Sequence, residues 1–290
     1  MKKMIFEPEI QTDKSLGQHF LFDQTVLSLI VDFADVESGD TVLEIGPGLG
    51  TLTAVLIQKA GAVVAVEFDK DLAEKLKSSL SDLFRQSKDK LDYPNESGND
   101  KIQDNLQVIN ADFLQFDLNN LPKNYKVVAN IPYYITAKIV RKLLTAENKP
   151  KSVTLLVQKE VAERIAADAG DLSILAVSAQ VYAKVSLGPI VGRQFFTPPP
   201  KVDSQVVKME LYEKSLVADL DEADFFRIVK MGFSSPRKKV LKNLAGGLHV
   251  EPDKIATIFA KLNISENARA EDITIENWRE IVINLKEENL

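Results

Sequence analysis

The chain of 290 residues contains no cysteine, which removes disulfides, thiolate metal sites and a cysteine nucleophile together. Histidine is nearly as scarce. Only His19 and His249 occur, too few for a histidine-rich metal centre, and no metal is expected. Long apolar runs are also missing. The N-terminal MKKMIFEPEIQTDK has no apolar core of signal-peptide length, and no later stretch approaches membrane-spanning length. A cytoplasmic protein without membrane contact is the expectation. Acidic residues are plentiful overall, giving a formal net charge of −6, yet none lies between Phe225 and Val250. That stretch holds Arg227, Lys230, Arg237, Lys238, Lys239 and Lys242. A basic patch inside an acidic chain says more about partners than the total charge does.

What is present is ample core-forming material. The composition is 45% hydrophobic, enough for one large domain or a large and a small one. From Asp40 to Leu211 short β-rich runs alternate with amphipathic stretches: TVLEIG, TLTAVLIQKAG, AVVAVEF and DKDLAEKLKSSL, then LQVINAD, YKVVAN, SVTLLVQ and KEVAERIAADA. That rhythm predicts an α/β fold, a mainly parallel sheet with helices on both faces. AKVSLGPI and SQVVKMEL have no helix between them and predict an antiparallel pair joined by a proline-stiffened loop. The polar segment 85–105 predicts a surface loop. After about residue 212 only helical patterns remain. A sheet domain over 1–212 and a small all-helical domain over 213–290 are expected.

The segment VLEIGPGLGTLT has the form of a strand, a tight glycine turn and a helix start, which lets backbone N–H groups approach a ligand. Two common nucleotide loops fail on spacing. Counting G-x-G-x-x-G from Gly46 puts Thr51 in the last glycine's place, and no Gly-Lys pair of a phosphate-binding loop occurs. Glu44 would repel a pyrophosphate but suits a cationic ligand, and S-adenosylmethionine carries a sulfonium and an ammonium. Glu67 ends the second strand, where a carboxylate can accept both ribose hydroxyls. Asp112 ends the third, in reach of an adenine amine. Any one of these acids alone reads as a turn residue or helix cap. Three at consecutive strand ends behind a glycine loop point to a Rossmann-like class I methyltransferase with its cofactor at the carboxyl edge of the sheet.

The next strand exits through NIPYY, residues 130–134. Proline cannot continue a central ladder, and a buried tyrosine hydroxyl needs a partner. In isolation this is a turn whose rings pack on the core. Beside a methyl donor it becomes chemically specific. The Asn130 side-chain oxygen and the Ile131 carbonyl can accept both N6 hydrogens of adenine, Pro132 fixes the turn, and Tyr133 stacks on the base. Tyr134 is expected to pack. Pyrimidine C5 methylation is excluded, since that chemistry normally needs a cysteine nucleophile.

KSLGQHFLFD (14–23), EIGPGLGTLT (44–53), NADFLQFD (110–117), NIPYYIT (130–136), LLVQKEVAERI (155–165) and FTPPPKVDSQVV (196–207) occur in that order. Together they resemble the bacterial small-subunit rRNA adenine dimethyltransferases, over nearly the whole chain. The resemblance implies S-adenosyl-L-methionine as methyl donor and two adjacent adenines of a hairpin near the 3′ end of 16S rRNA as target. It implies His19, Leu21, Gly46, Glu67, Asp112 and Asn130 as cofactor contacts. It also implies Phe196 as a second aromatic that sandwiches the base with Tyr133. Pre-30S particles are the implied partner, met by a monomer. The same chemistry on large-subunit rRNA, and a non-catalytic assembly or transcription factor on the same fold, are the competing possibilities.

SSPRKKVLKNLAGG predicts a helix with Ser235 as N-cap, Pro236 at its first position and Gly246-Gly247 at its end. Arg237, Lys238 and Lys239 would then crowd a first turn where the helix dipole disfavours cations. With Lys242, they are read as phosphate contacts to structured RNA.

Overall fold

The computed structural model describes residues 19–78, 105–288 and 290. Of the polar segment 85–105, only Asn105 falls among the described residues. Four parallel strands form the centre of one sheet: β2 (Thr41–Ile45), β3 (Ala62–Glu67), β5 (Lys126–Asn130) and β6 (Ser152–Gln158), with β4 (Leu106–Asn110) parallel beyond β3. β9 (Ser204–Leu211) inserts antiparallel between β6 and β7 (Ala183–Val191), giving the order β4-β3-β2-β5-β6-β9-β7. A separate ribbon pairs β1 (Phe20–Leu21) with β8 (Phe196–Thr197). The mainly parallel sheet and the antiparallel pair are as the sequence predicts.

Strands buried on both faces read as unbroken apolar runs, and alternate residues divide between two cores. Leu43, Val64, Val127, Leu155 and Val207 face one side, where α4 (Thr136–Thr145) packs. Val42, Val63, Val128, Leu156 and Val206 face the other, against α1 (Gln24–Phe33) and α2 (Thr51–Lys59). Asp23 caps α1 by accepting the Val26 N–H at 3.0 Å. A helical segment at 70–78 (α3), α5 (Lys159–Ile165) and α6 (Ile174–Gln180) complete this part.

At the amino edge of the sheet, two buried lysines clamp the Asp35–Asp40 connection. Lys126 bonds the Asp35 carbonyl and pairs with Asp40 at 2.7 Å, while Lys208 pairs with the Asp35 carboxylate. The opposite edge, where the parallel strands end, is left to the glycine loop and NIPYY.

After Leu211 the described residues form helices only: α7 (Glu222–Gly232), α8 (Val240–Leu248), α9 (Pro252–Lys261) and α10 (Ile275–Glu287). Their centre is Trp278, fully buried against Gly232, where a Cβ would approach the ring to 2.2 Å. No described helix is long and apolar enough to cross a membrane.

The basic helix departs from expectation at both ends. Ser235 and Pro236 are not its cap and first position. They are the first two residues of a turn closed by the Lys238 N–H on the Ser235 carbonyl at 2.9 Å. Lys239 is extended (φ −57°, ψ 132°), the Val240 N–H bonds the Ala268 carbonyl at 2.9 Å, and the helix starts only at Val240. Asn243 reaches back to the carbonyls of Gly232 and Ser235, at 2.6 and 3.1 Å, and holds the turn in place. Arg237 and Lys238 therefore precede the helix, and no dipole conflict arises. Gly246 and Gly247 lie inside α8, and His249, at φ 58°, provides the left-handed end.

Candidate active site

The site is built on the turn after β2. Gly46, Gly48 and Gly50 all have positive φ (66°, 57° and 78°), a region costly for residues with a Cβ. A Cβ at Gly48 would lie 3.0 Å from the Phe20 ring, whereas one at Gly46 would project into open space. The three amides are not free donors. Gly46 N–H bonds the Val66 carbonyl at 2.9 Å, Gly48 N–H the Glu67 carboxylate at 3.0 Å, and Gly50 N–H the Pro47 carbonyl at 2.9 Å. The loop thus offers close approach rather than a nest of N–H groups, a correction to the expectation from sequence.

The cavity beside it is walled by Leu21, Glu44, Gly46, Glu67, Asn130 and Tyr133 among others. Glu44 is 1% exposed and accepts the Thr53 hydroxyl at 2.6 Å. Burial pushes its carboxyl up to about 8, with the Thr53 bond pulling down and Glu67 adding to the rise. Burial also raises Glu67, against the opposing amides of Asp69 and Gly48, which it accepts at 2.9 and 3.0 Å. Two acids set side by side in a glycine-floored cavity, one buried and holding its proton, form a donor set that a cationic ligand would complete. That fits S-adenosylmethionine, with Glu44 as the group that would hold its cationic methionine end and Glu67 as the group that would hold its ribose.

Asp112 stands apart. It is exposed, two residues past β4, outside the residues lining this cavity, and its Oδ1 accepts the Leu114 N–H at 2.8 Å. Phe68, directly after Glu67, is 68% exposed, a ring that the sequence reading passed over.

Asn130 ends β5 and donates its side-chain amide to the His19 carbonyl at 3.3 Å, which leaves the side-chain oxygen as a free acceptor. Pro132 (φ −59°, ψ 129°) then starts the Tyr133–Ile135 turn. The Tyr133 hydroxyl bonds the Ser204 Oγ at 2.7 Å, and its ring stacks on His19 with centroids 5.9 Å apart. His19 in turn bonds the Pro198 carbonyl through Nδ1 at 2.8 Å. His19 therefore ties NIPYY to the FTPPP loop, a role that its description as a cofactor contact did not include. Ser204 was missed, although a half-buried tyrosine hydroxyl announces that some partner must exist.

Two aromatic assignments need correction. Phe196 is 3% exposed, pairs with Leu21 across β1 and β8, and packs with Val26, Leu27 and Val206, so it does not face the cavity beside Tyr133. Tyr134 does not pack either: it is 69% exposed, because the turn geometry that points Tyr133 inward turns its neighbour out.

Arg237, Lys238, Lys239 and Lys242 are all exposed, and none forms an ion pair among the described residues.

A family model described as ribosomal RNA adenine dimethylase matches residues 10–287. The chain belongs to the ribosomal RNA adenine dimethylase family. As such it is an S-adenosylmethionine-dependent rRNA adenine dimethyltransferase. Among curated relatives, the ribosomal RNA small subunit methyltransferase A of Dehalococcoides mccartyi is 38% identical, over 96% of this chain and 90% of that protein. The protein of the same name from Clostridioides difficile is 35% identical, over 98% and 95%. Of the solved structures, a dimethyladenosine transferase from Plasmodium falciparum superposes with a TM-score of 0.73 at 25% identity, covering 94% of this chain and 99% of that one. The 23S rRNA methyltransferase ErmE gives 0.70 at 26% identity, covering 92% and 99%. In this dimethylase, Asn130, Tyr133, Glu44 and Glu67 line one cavity at the ends of the parallel strands.

Proposed function

We propose that this dimethylase methylates N6 of two adjacent adenines in a hairpin near the 3′ end of 16S rRNA, giving N6,N6-dimethyladenosine during small-subunit maturation. The observation that supports it most is the Asn130–His19 hydrogen bond, which commits the amide nitrogen and frees the oxygen at the strand end beside the cavity.

The exocyclic amine of adenine is a poor nucleophile because its lone pair is delocalised into the ring. Asn130 Oδ1 and the Ile131 carbonyl accept its two hydrogens and draw the nitrogen toward a pyramidal shape. Tyr133 supports the base face, worth roughly 1–3 kcal/mol per stacked base. When bound, S-adenosylmethionine supplies an electrophilic methyl on its sulfonium. Glu67 takes the ribose end, Glu44 and Gly46 the methionine end and Asp112 the adenine. Alignment of nitrogen, methyl and leaving sulfur contributes up to about 7–11 kcal/mol. No strong base is required, since the nitrogen becomes acidic only once the methyl has arrived. Phe196 is better assigned to holding Leu21 at the cavity wall than to the base.

Residues 213–290 are proposed as an RNA-binding domain, with Arg237, Lys238, Lys239 and Lys242 on rRNA phosphates. The target is taken to be met within pre-30S particles by a monomer in the cytoplasm. The similarity to ErmE keeps large-subunit rRNA as the second reading. The small-subunit names of curated relatives at 34–38% identity favour the first.

The test offers labelled cofactor and purified protein to pre-30S particles from cells lacking the activity, alongside naked 23S fragments. Label at adenine N6 of the 3′ hairpin is expected. Label on the 23S fragments alone would establish the second reading, and no label on either would refute both.

A further inference from the structure

Lys142 lies half-buried in the last turn of α4, the helix that follows the Tyr133–Ile135 turn directly. It donates to the main-chain carbonyls of Phe113 at 2.7 Å, Leu114 at 3.0 Å and Phe116 at 2.5 Å. Its Nζ also sits 5.0 Å from the centroid of the Phe113 ring. An ammonium has three protons, and all three are used here on one short segment of backbone.

That segment begins at Asp112. Its carboxylate accepts the Leu114 N–H at 2.8 Å, and its carbonyl accepts the N–H groups of Gln115 and Phe116 at 2.9 and 3.0 Å. The turn's N–H groups are thus gathered on Asp112, and its carbonyls converge on Lys142. Without a cation, three carbonyl dipoles aimed at one point repel, and the segment would open to find water. Asn148, just beyond the same helix, treats the next stretch alike, with bonds to the Leu118 and Leu121 carbonyls at 2.9 Å each. Burial lowers the Lys142 ammonium, while Asp112 and Asp117 pull it back up.

We propose that Lys142 is a positioning residue for the cofactor's adenine: it fastens the 112–116 turn to α4 and so fixes the Asp112 carboxylate that reads the adenine amine. One helix then carries the base platform at its start and steers the adenine end of the cofactor site from its last turn. The inference rests on the assignment of Asp112 to adenine given above.

The test compares binding of S-adenosylhomocysteine with that of its inosine counterpart, in which a carbonyl oxygen replaces the adenine amine, by calorimetry on the full chain. Asp112→Ala is expected to weaken the adenosyl ligand about tenfold and to erase its advantage over the inosyl one. Lys142→Met is expected to do the same, with the loss appearing in the KM for cofactor more than in kcat. The double variant should bind no worse than Asp112→Ala, since two residues acting through one contact are not additive. A Lys142→Met protein that keeps the adenosyl preference, or losses that add, would overturn the inference. An unchanged preference in Asp112→Ala would overturn the assignment of Asp112 itself. Should Lys142→Met fail to fold, Lys142→Arg keeps the charge with a different donor geometry. Reduced preference is expected there, and full preference would count against the proposal.

Discussion

Asn130 and His19 are joined side chain to backbone at 3.3 Å, across 111 residues of sequence. The bond fixes which end of the amide faces the cavity. Asn130→Ala is therefore expected to lose at least about a hundredfold in kcat, a transition-state loss of about 2.7 kcal/mol. Cofactor affinity should stay within about tenfold. Asn130→Asp tests orientation: it keeps an acceptor but cannot donate to His19, and should be nearly as slow. Near-normal turnover in either variant, measured with particles in single-turnover assays, would show that the amide is not the amine's acceptor.

Tyr133 and Ser204 make a second link, at 2.7 Å. Ser204 is fully buried, so either partner left alone strands a polar group at a cost of about 1–3 kcal/mol. Tyr133→Phe keeps the ring and should lower stability by that order while retaining most turnover at saturating RNA. Tyr133→Ala removes the stacking surface too, and should raise the KM for RNA well beyond the Phe variant. Equal kinetics for the two would mean that the ring does not touch the base.

Much of this was legible beforehand. The strand–helix rhythm predicts the sheet, and Glu44, Glu67 and NIPYY fall where their positions at strand ends imply, because parallel strands deliver their C-terminal residues to one edge. What was illegible depends on contacts distant in sequence. Phe196 is turned inward by pairing with Leu21 on β1, a ribbon of two residues per strand that periodicity cannot reveal. The basic helix was misread because Ser-Pro serves equally as a helix start and as the opening of a turn. The choice was made by Asn243 and Ala268, eight and thirty-three residues further on. Tyr134 was misjudged because adjacent residues of a tight turn point apart, so one ring had to be exposed.

Glu44 carries a pH signature. Its carboxyl sits above its ordinary 4.5, at about 8, in the folded, ligand-free protein. A raised acid costs nothing while protonated in both states, below about 4.5. The cost then grows as pH rises toward 8 and levels off above it. Thermal stability of the ligand-free protein should fall over that window, and Glu44→Gln should flatten the fall. A residue will remain, because Glu67 is raised in the same direction. Affinity for the cationic cofactor should rise over the same window in the wild type, since binding expels the Glu44 proton. A wild-type affinity that is flat with pH would remove Glu44 from the cofactor site.

The basic turn makes the last prediction, and its corrected geometry sharpens it. Arg237 and Lys238 belong to a solvent-facing turn, Lys239 stands at the helix entrance, and none of them is paired among the described residues. Removing their charges should leave the fold alone, with stability changed by no more than about 0.5 kcal/mol, as for ordinary surface positions. Had the cations crowded the helix's first turn, neutralising them would have raised stability by about 0.3–1 kcal/mol each. If each instead meets a phosphate, the triple alanine variant should weaken rRNA binding and reduce the slope of log K against log salt by about 2–3. Cofactor binding, on a different part of the chain, should not change. Filter binding across a salt series, with thermal melts of the same samples, separates the cases: an unchanged slope would place the RNA contacts elsewhere, and a clear rise in stability would show that the charges are strained in the free protein.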